Sequence, residues 1–167
     1  AEWGMEQFVR DARITMIDEG ANGIQALDLV GRKLPKDGGR AMMAFLAEVN
    51  GFLKEEDAAN PVLVPLKASL GHLQQATMWF MNNAMAKPDN AGAGATDYMH
   101  LFGLVALGYM HARIAEAALA KSDDPRMQAK LVTARFFMQR MLPETATHLA
   151  RIEAGAGSVM ELAEEAF

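Results

Sequence analysis

The sequence contains no cysteine. A disulfide framework, a thiolate metal site and a thiol-based redox centre are therefore excluded. The chain does not need such cross-links, because a chain of 167 residues is long enough to bury roughly two-thirds of its unfolded surface in one domain. With 51% hydrophobic and 22% charged residues, the composition is that of a globular protein rather than a disordered one.

Long apolar runs and an excess of positive charge are also missing. No apolar run approaches the roughly 20 residues that a membrane-spanning helix needs, and no basic-then-apolar leader opens the chain. Sixteen Lys and Arg residues stand against 21 Asp and Glu residues, which gives a net charge of −5. This balance disfavours nucleic acid and anionic membranes as partners. We therefore expect one soluble, cytoplasmic protein.

Residues that favour β-sheet are sparse. Val, Ile, Thr and the aromatic residues are too few for a sheet, and no stretch alternates with a period of two. The 13 methionines and the many alanines favour helix instead. Short loops between long helices place neighbouring helices antiparallel. The sequence thus predicts an all-α fold, an antiparallel up-down helical bundle of about seven to eight helices.

The helix boundaries follow from apolar spacing and from capping residues, Gly and Pro. They predict five helices over residues 2–17, 22–34, 61–85, 97–120 and 125–142. Three further helices are predicted from Asp37 through Leu53, after residue 142 up to Gly155, and after Ser158. The predicted N-terminal caps and starts are Asn22, Asp37, Asn60-Pro61, the stretch Ser122-Asp123-Asp124-Pro125, and a capping box of Ser158 with Glu161.

Glycine-containing stretches give two further expectations. Residues 87–96 (KPDNAGAGAT) are the only low-complexity segment, and their small residues offer little surface to bury, so we predict a mobile surface loop. In the apolar helix that follows, Gly103 and Gly108 should let another helix approach closely.

The four histidines do not form a metal-binding pattern. A di-iron bundle needs Glu-x-x-His pairs on facing helices, and no histidine has a Glu three residues before it; Glu144 precedes His148 by four. We expect core or surface histidines and no metal site. Arg135 and Arg140 lie on one helix, which we interpret as a solvated face rather than a nucleic-acid surface.

One segment is not explained by packing alone. Residues 17–25 (IDEGANGIQ) place Glu19 in a glycine-rich corner between two amphipathic helices. Gly20 and Gly23 would let the backbone approach a ligand closely. A carboxylate that is desolvated in such a corner can serve as a general base. An exposed inter-helix loop without chemistry explains the same pattern.

The residues around this corner resemble a known family. The stretch Arg10-Asp11-Ala12-Arg13, then Ile17, Glu19-Gly20, and Gly23-Ile24-Gln25-Ala26 is similar to the pattern R-D-A-x-x-x-x-I-Y-E-G-T-x-x-I-Q in the C-terminal helical domain of acyl-CoA dehydrogenases. Residues 38–163 look like the additional C-terminal helical region of the larger members, the subfamily of 3-methylmercaptopropionyl-CoA dehydrogenases. The resemblance implies residues 1–34 as the end of the acyl-CoA dehydrogenase C-terminal helical domain and residues 35–167 as the additional helical bundle region.

The resemblance assigns roles to five residues. Glu19 matches the catalytic base that takes the α-proton of an acyl-CoA thioester while FAD accepts the β-hydride. Ala21, Asn22 and Gly23 match the stretch that contacts FAD, and Gly20 matches a substrate-contacting glycine. The sequence departs from the pattern at Asp18, where the family has Tyr, and at Ala21, where it has Thr.

The family also implies domains and partners that this chain lacks. An N-terminal helical domain and a middle β-domain supply most flavin contacts, so we interpret the chain as a C-terminal fragment that is inactive and binds no FAD by itself. The implied partners of the whole enzyme are an acyl-CoA substrate, an electron-transfer flavoprotein and further copies of itself. The alternative is a non-catalytic helical module for interaction or oligomerisation, in which the Glu19 corner is vestigial.

Overall fold

The computed structural model describes residues 4–16, 21–55, 62–84, 86–121 and 123–166. Within these residues every regular element is helical and no strand occurs, which confirms the all-α prediction. The α-helices are α1 (Glu6–Arg13), α2 (Asn22–Asp28), α3 (Arg40–Glu55), α4 (Leu63–Asn83), α5 (Pro88–Leu119), α6 (Pro125–Phe136), α7 (Glu144–Ala154) and the single turn α8 (Gly157–Met160).

Shorter turns extend several of these helices. Wide π turns over Leu29–Lys33 and Phe137–Met141 prolong α2 and α6, and 3-10 turns cover Ile14–Met16, Lys36–Gly39 and Glu164–Ala166. The π turn after α6 brings the chain to Pro143, and α7 begins at the next residue.

Helix α5 is the centre of the bundle. Its Gly94 lies beside Phe80 of α4, and its Gly108 lies beside Leu66 of the same helix, so α4 and α5 are antiparallel. His111 stacks on Phe137, with 4.5 Å between the ring centroids, and Gly94 lies beside Ile152 of α7. The leg formed by α6 and α7 therefore runs antiparallel along another side of α5. These contacts confirm the predicted up-down arrangement.

Helix α3 completes the bundle on a further side of α5. Phe45 packs against Phe102 with 5.1 Å between the ring centroids, and Phe52 meets Tyr109 edge-on at 5.4 Å. In both contacts the residue of α5 follows the residue of α3 by the same number of positions in the sequence. Helix α3 therefore runs parallel to α5 and antiparallel to α4. The apolar core lies between these four legs, with Leu66, Leu73, Leu101, Val105 and Leu142 fully buried.

The helix that was expected to begin at Asp97 begins nine residues earlier, so the predicted surface loop over 87–96 is wrong. Pro88 occupies the first turn of α5, where its missing N–H is not needed. Gly94 and Ala95 are buried because their small size lets α5 approach α4 and α7. The small residues that suggested a mobile loop are the residues that close packing between helices requires.

Small residues and caps elsewhere match the expectations in part. Gly108 lies against Leu142 and Leu66 as predicted, whereas a Cβ on Gly103 would meet nothing within 4 Å. Asp124 caps α6 by accepting a hydrogen bond from the Arg126 N–H at 2.8 Å, and Gly155 ends α7 with a positive φ of 65°. The predicted starts at residues 60–61 lie outside the described residues.

The remaining cap predictions are wrong. Asn22 is the first residue of α2 rather than its cap, and Ala21 holds the cap position without a side-chain bond. Asp37 lies in the 3-10 turn with a φ of 52°, and α3 begins only at Arg40. The box of Ser158 and Glu161 is also absent, because α8 begins at Gly157.

Gly94 and Gly92 provide a matched test of the close contact at α5. A Cβ on Gly94 would lie 2.9 Å from Cζ of the buried Phe80 ring, whereas a Cβ on Gly92 would meet nothing within 4 Å. We expect Gly92→Ala to raise the free energy of unfolding by up to about 1 kcal/mol through helix propensity. Gly94→Ala should lower it by about 1–2 kcal/mol through overpacking. Urea denaturation measures both values, and equal effects of the two substitutions would contradict the packing described here.

Tyr98 provides a second test, through its ionisation. The side chain is fully buried, and its hydroxyl lies 2.8 Å from Thr77 Oγ1. Because Thr77 donates its own proton to the Leu73 carbonyl, the Tyr98 hydroxyl is the donor of this bond. Burial raises the pKa of Tyr98 to about 12.

The unfolded chain releases this proton near pH 10, before the folded protein does, so stability is lost as the pH rises from 10 to 12. Tyr98 should contribute about 2–3 kcal/mol to that loss. In Tyr98→Phe, the free energy of unfolding should fall less steeply over the same interval, as measured by urea denaturation at each pH. Identical slopes for the two proteins would contradict the assignment.

Candidate functional site

The predicted site lies at the corner between α1 and α2. Asp18, Glu19 and Gly20 fall outside the described residues, so their predicted roles stay predictions. Ala21, Asn22 and Gly23 are described and exposed at the start of α2. Ala21 is extended (φ −58°, ψ 129°), and this residue turns the chain into the helix.

Helix α2 fixes the position of these three residues on the bundle. Ala26 is fully buried and Val30 nearly so, and both belong to the same core as the residues of α5. Asn22 and Gly23 lie on the first turn of the helix that is anchored in this way. A Cβ on Gly23 would meet none of the described residues within 4 Å, so this part of the chain leaves the backbone of Gly23 accessible.

Two ion pairs lie at the C-terminal end of α2. Asp28 pairs with Arg32 and Lys33, and the hydrogen bond from Arg32 lowers the pKa of Asp28 to about 2. All three residues belong to the sequence stretch Asp28-Leu29-Val30-Gly31-Arg32-Lys33. Asp28 and Arg32 are four residues apart, so their side chains lie on one face of the helix at its C-terminal end.

Helix α1 has no buried residue, a property that it shares with the single turn α8. Phe8 is 66% exposed and Val9 is 65% exposed, although their spacing is that of an amphipathic helix with one apolar face. A large exposed apolar face of this kind marks an interaction surface. Of the two helices that precede and follow the candidate corner, α2 is therefore packed on the bundle, whereas the apolar side chains of α1 are exposed.

The histidines are engaged within the bundle. His148 Nδ1 lies 2.7 Å from Asp97 Oδ1, and His100 lies beside the His148 ring. His72 Nδ1 lies 3.0 Å from the buried Thr145 hydroxyl. His111 stacks on Phe137, and burial lowers its pKa.

Within the described part of the chain, no three His, Cys, Asp or Glu residues are grouped so that they could hold a metal ion. No helix in the same part of the chain is long and apolar enough to cross a membrane.

A groove of about 600 Å³ lies between α3 and α5. Tyr109 donates a hydrogen bond to Glu48 at 3.0 Å, and Arg113 donates to the Tyr109 oxygen at 3.0 Å. This second bond raises the pKa of Arg113. The residues that line the groove are Glu48, Tyr109, Met110, Arg113, Glu116, Ala117 and Ala120, and they include none of the predicted site residues.

No local sequence signal marks this groove. Its polar residues come from two helices that are distant in sequence, and these helices are held together by the aromatic pairs Phe45–Phe102 and Phe52–Tyr109 and by the hydrogen bond between Tyr109 and Glu48. Arg113 and Glu116 are three residues apart and pair at 3.3 Å, which from the sequence is a solvated helical ion pair. We assign no chemistry to the groove.

Comparison with known proteins identifies a family. Residues 45–163 match the family model described as acetyl-CoA dehydrogenase C-terminal like. The chain is 37% identical to 3-methylmercaptopropionyl-CoA dehydrogenase of Ruegeria pomeroyi over 90% of this chain and 27% of that protein. It is 28% identical to the broad-specificity linear acyl-CoA dehydrogenase FadE5 of Mycobacterium tuberculosis over 99% of this chain and 30% of that protein.

A third relative extends the same pattern. The chain is 26% identical to a butyryl-CoA dehydrogenase of Syntrophomonas wolfei over 99% of this chain and 29% of that protein. The chain thus spans less than a third of the length of each of these curated relatives.

Proposed function

Since this chain belongs to the acetyl-CoA dehydrogenase C-terminal-like family, we propose that it forms the C-terminal part of an FAD-dependent acyl-CoA dehydrogenase. The observation that carries the proposal is the 37% identity to 3-methylmercaptopropionyl-CoA dehydrogenase over nine-tenths of this chain. The whole protein would catalyse the α,β-dehydrogenation of an acyl-CoA thioester. The 167 residues alone would be inactive.

The proposed chemistry places Glu19 as the general base. Its carboxylate would remove the α-proton of the thioester, and a base of this kind must lie on the substrate face opposite the hydride acceptor. Bound FAD supplies the acceptor for the β-hydride. Gly20, next to the base, would lie against the substrate because the lack of a side chain permits close approach.

Ala21, Asn22 and Gly23 are proposed to hold the cofactor. All three are exposed, and the open space beside Gly23 leaves room for a planar ring system or a phosphate to approach the backbone. Asn22 offers an amide that can both donate and accept hydrogen bonds. Ala21 offers no hydroxyl, so this contact would be weaker than one made by the Thr of the family pattern.

The exposed face of α1 agrees with a division of the chain into two regions. We propose that residues 1–34 complete a helical domain of the whole enzyme and that residues 35–167 form an additional bundle, on which α2 packs through Ala26 and Val30. The apolar side chains of α1, including Phe8 and Val9, would then pack against helices of that domain or against a further copy. A cytoplasmic homo-oligomer that passes electrons to an electron-transfer flavoprotein is the corresponding assembly.

The role of Glu19 is tested in the whole enzyme by Glu19→Gln, with Asp18→Asn as the matched control. Both substitutions exchange a carboxylate for its amide in the same corner. We expect Glu19→Gln to lower kcat by roughly 10²–10⁴ with little change in substrate affinity, because a general base is removed and size is kept. Asp18→Asn should cost far less and should move the pH optimum downward, since it removes a like charge beside the base.

Steady-state kinetics and substrate titration measure both effects. If Glu19→Gln kept near-normal turnover, or if Asp18→Asn were the inactive variant, Glu19 would not be the base. If the whole protein showed no dehydrogenase activity even without substitutions, the non-catalytic interaction module would replace the proposal.

The isolated 167-residue chain should bind no FAD. Ala21, Asn22 and Gly23 offer too few contacts to offset the entropy that is lost when FAD binds. Purified chain should therefore be colourless, without flavin absorbance, and should not quench the fluorescence of added FAD. Stoichiometric FAD in the purified chain would contradict the proposal that most cofactor contacts come from other domains.

A further inference from the structure

Helix α5 lacks charged residues on every side over its middle part. Residues 98–112 contain no Asp, Glu, Lys or Arg. A surface helix carries charged or polar residues on the side that faces water, whereas a helix that is apolar all round is buried. The sequence of this part of α5 therefore indicates a helix with neighbours on all of its sides.

The described helices leave one face of α5 open. Leu101 and Val105 are fully buried in the core of the bundle. On another face of the same helix, Leu107 is 54% exposed, Met110 is 48% exposed and Ile114 is 38% exposed. Exposed apolar side chains that are grouped on one helical face mark an interaction surface.

Gly103 extends this face by one turn. It lies four residues before Leu107, and the spacing of four, three and four residues from Gly103 to Ile114 is that of a seam between two packed helices. A Cβ on Gly103 would meet none of the described residues within 4 Å, although glycine lowers the stability of a helix interior. We call Gly103, Leu107, Met110 and Ile114 the α5 stripe.

The dimensions and chemistry of the α5 stripe define what fits on it. Its ends are eleven positions apart, which corresponds to about 17 Å along a helix, so a helix of about twelve residues covers it. Such a helix needs apolar side chains at intervals of three and four residues, because a charge placed against the stripe would be desolvated without a partner. The occupant is therefore an amphipathic helix.

No described helix of this chain occupies the α5 stripe. Helix α1 has a suitable apolar face, but its Phe8 and Val9 are themselves 66% and 65% exposed. If α1 lay on the stripe, the apolar side chains of both helices would be buried against one another. The occupant is thus outside the described part of the chain.

The polypeptide that precedes this chain in the whole enzyme is tethered close to α5. The chain spans between 27% and 30% of three of its relatives. Helix α2 and the π turn Leu29–Lys33 that prolongs it both pack against α5. A segment attached in this way has an effective concentration of roughly millimolar, which favours it over a separate protein.

We propose that an amphipathic helix from the polypeptide that precedes residue 1 in the whole enzyme lies along the α5 stripe. The proposal rests on the proposed function only in that this chain is the C-terminal part of a longer protein. It uses neither Glu19 nor the cofactor, and the contact is separate from the one proposed for α1.

Photochemical cross-linking in the whole protein tests the proposal directly. Leu107 is replaced by the photoreactive residue p-benzoylphenylalanine, and the cross-linked peptides are identified by mass spectrometry. We expect a cross-link to a peptide that precedes residue 1, formed within one polypeptide. The same replacement at Met78 is the matched control, because Met78 is also 54% exposed but lies on α4, and it should not give that peptide.

The other occupants are outcomes of the same experiment. A mixture of normal and isotopically heavy protein shows whether the two cross-linked peptides come from one polypeptide or from two. A cross-link from position 107 to α1, to a second copy or to a separate protein would overturn the proposal. The absence of a cross-link, or the same peptide from position 78, would also overturn it.

Substitution of the stripe gives a second, quantitative test. Leu107→Gln with Ile114→Gln should leave the Tm of the 167-residue chain unchanged, because both side chains are exposed there. In the whole protein the same pair should lower the yield of a cross-link from p-benzoylphenylalanine at position 110 several-fold. Val64→Gln with Met78→Gln, two exposed positions of α4, should leave that yield unchanged. Equal yields with the two pairs would contradict the contact.

Gly103→Ala and Gly71→Ala compare two glycines that are both open in the described structure. Each should raise the Tm of the 167-residue chain by a few degrees, because alanine favours helix more than glycine does. In the whole protein Gly71→Ala should keep this gain. Gly103→Ala should lose it, because the added methyl group meets the docked helix. An equal gain for both variants in the whole protein would contradict close packing at Gly103.

Dehydrogenase activity of the unsubstituted whole protein separates this proposal from the proposed function. Activity without the cross-link at position 107 would leave the proposed function standing and overturn the contact. The cross-link without activity would support the contact and count against the proposed function.

Discussion

The close approach of α4 and α7 to α5 is the constraint on which the bundle depends. Gly94 allows this approach at one end, where Phe80 and Ile152 lie within van der Waals distance of a hypothetical Cβ, and Gly108 allows it near Leu66 and Leu142. Because both glycines lie on the central helix, they set its distance both from α4 and from the leg that α6 and α7 form. Larger residues at these positions would separate the helices and uncover the leucines that fill the core.

Buried polar groups then fix how the helices slide against one another. Tyr98 reaches Thr77 across the α4–α5 contact at 2.8 Å, and Thr145 of α7 lies 3.2 Å from Ser69 of α4. Asn90 joins three helix ends, since it donates to the Asn83 carbonyl and accepts from the Ala156 N–H. An apolar core accepts several registers at little cost, but a shift of one turn would leave these hydroxyls and amides without partners.

The sequence predicted the helical class, the up-down order and the helix ends that depend on local signals. Asp124 with Pro125 and the glycine at 155 are signals of this kind, because each acts on its own turn of helix. Residues 87–96 were mispredicted because the reason for their order is not local. Glycine and alanine there are stabilised by Phe80 and by Ile152, which lie 14 and 58 positions away from Gly94 in the sequence. The same limit applies to the groove at Tyr109, whose residues come from two helices.

The candidate site, in contrast, was predicted from the sequence, and the structure describes only part of it. The Glu19 corner was recognised as a pattern of residue types, and the described geometry reaches only its second half, at Ala21 to Gly23. Burial of Ala26 and Val30 against α5 holds that half in place, whereas α1 contributes no buried residue. Because the core of the bundle is built from α2 to α7, substitutions in α1 remove no packing from it. The bundle can therefore keep its fold when the exposed apolar side chains of α1 are replaced, because none of them belongs to its core.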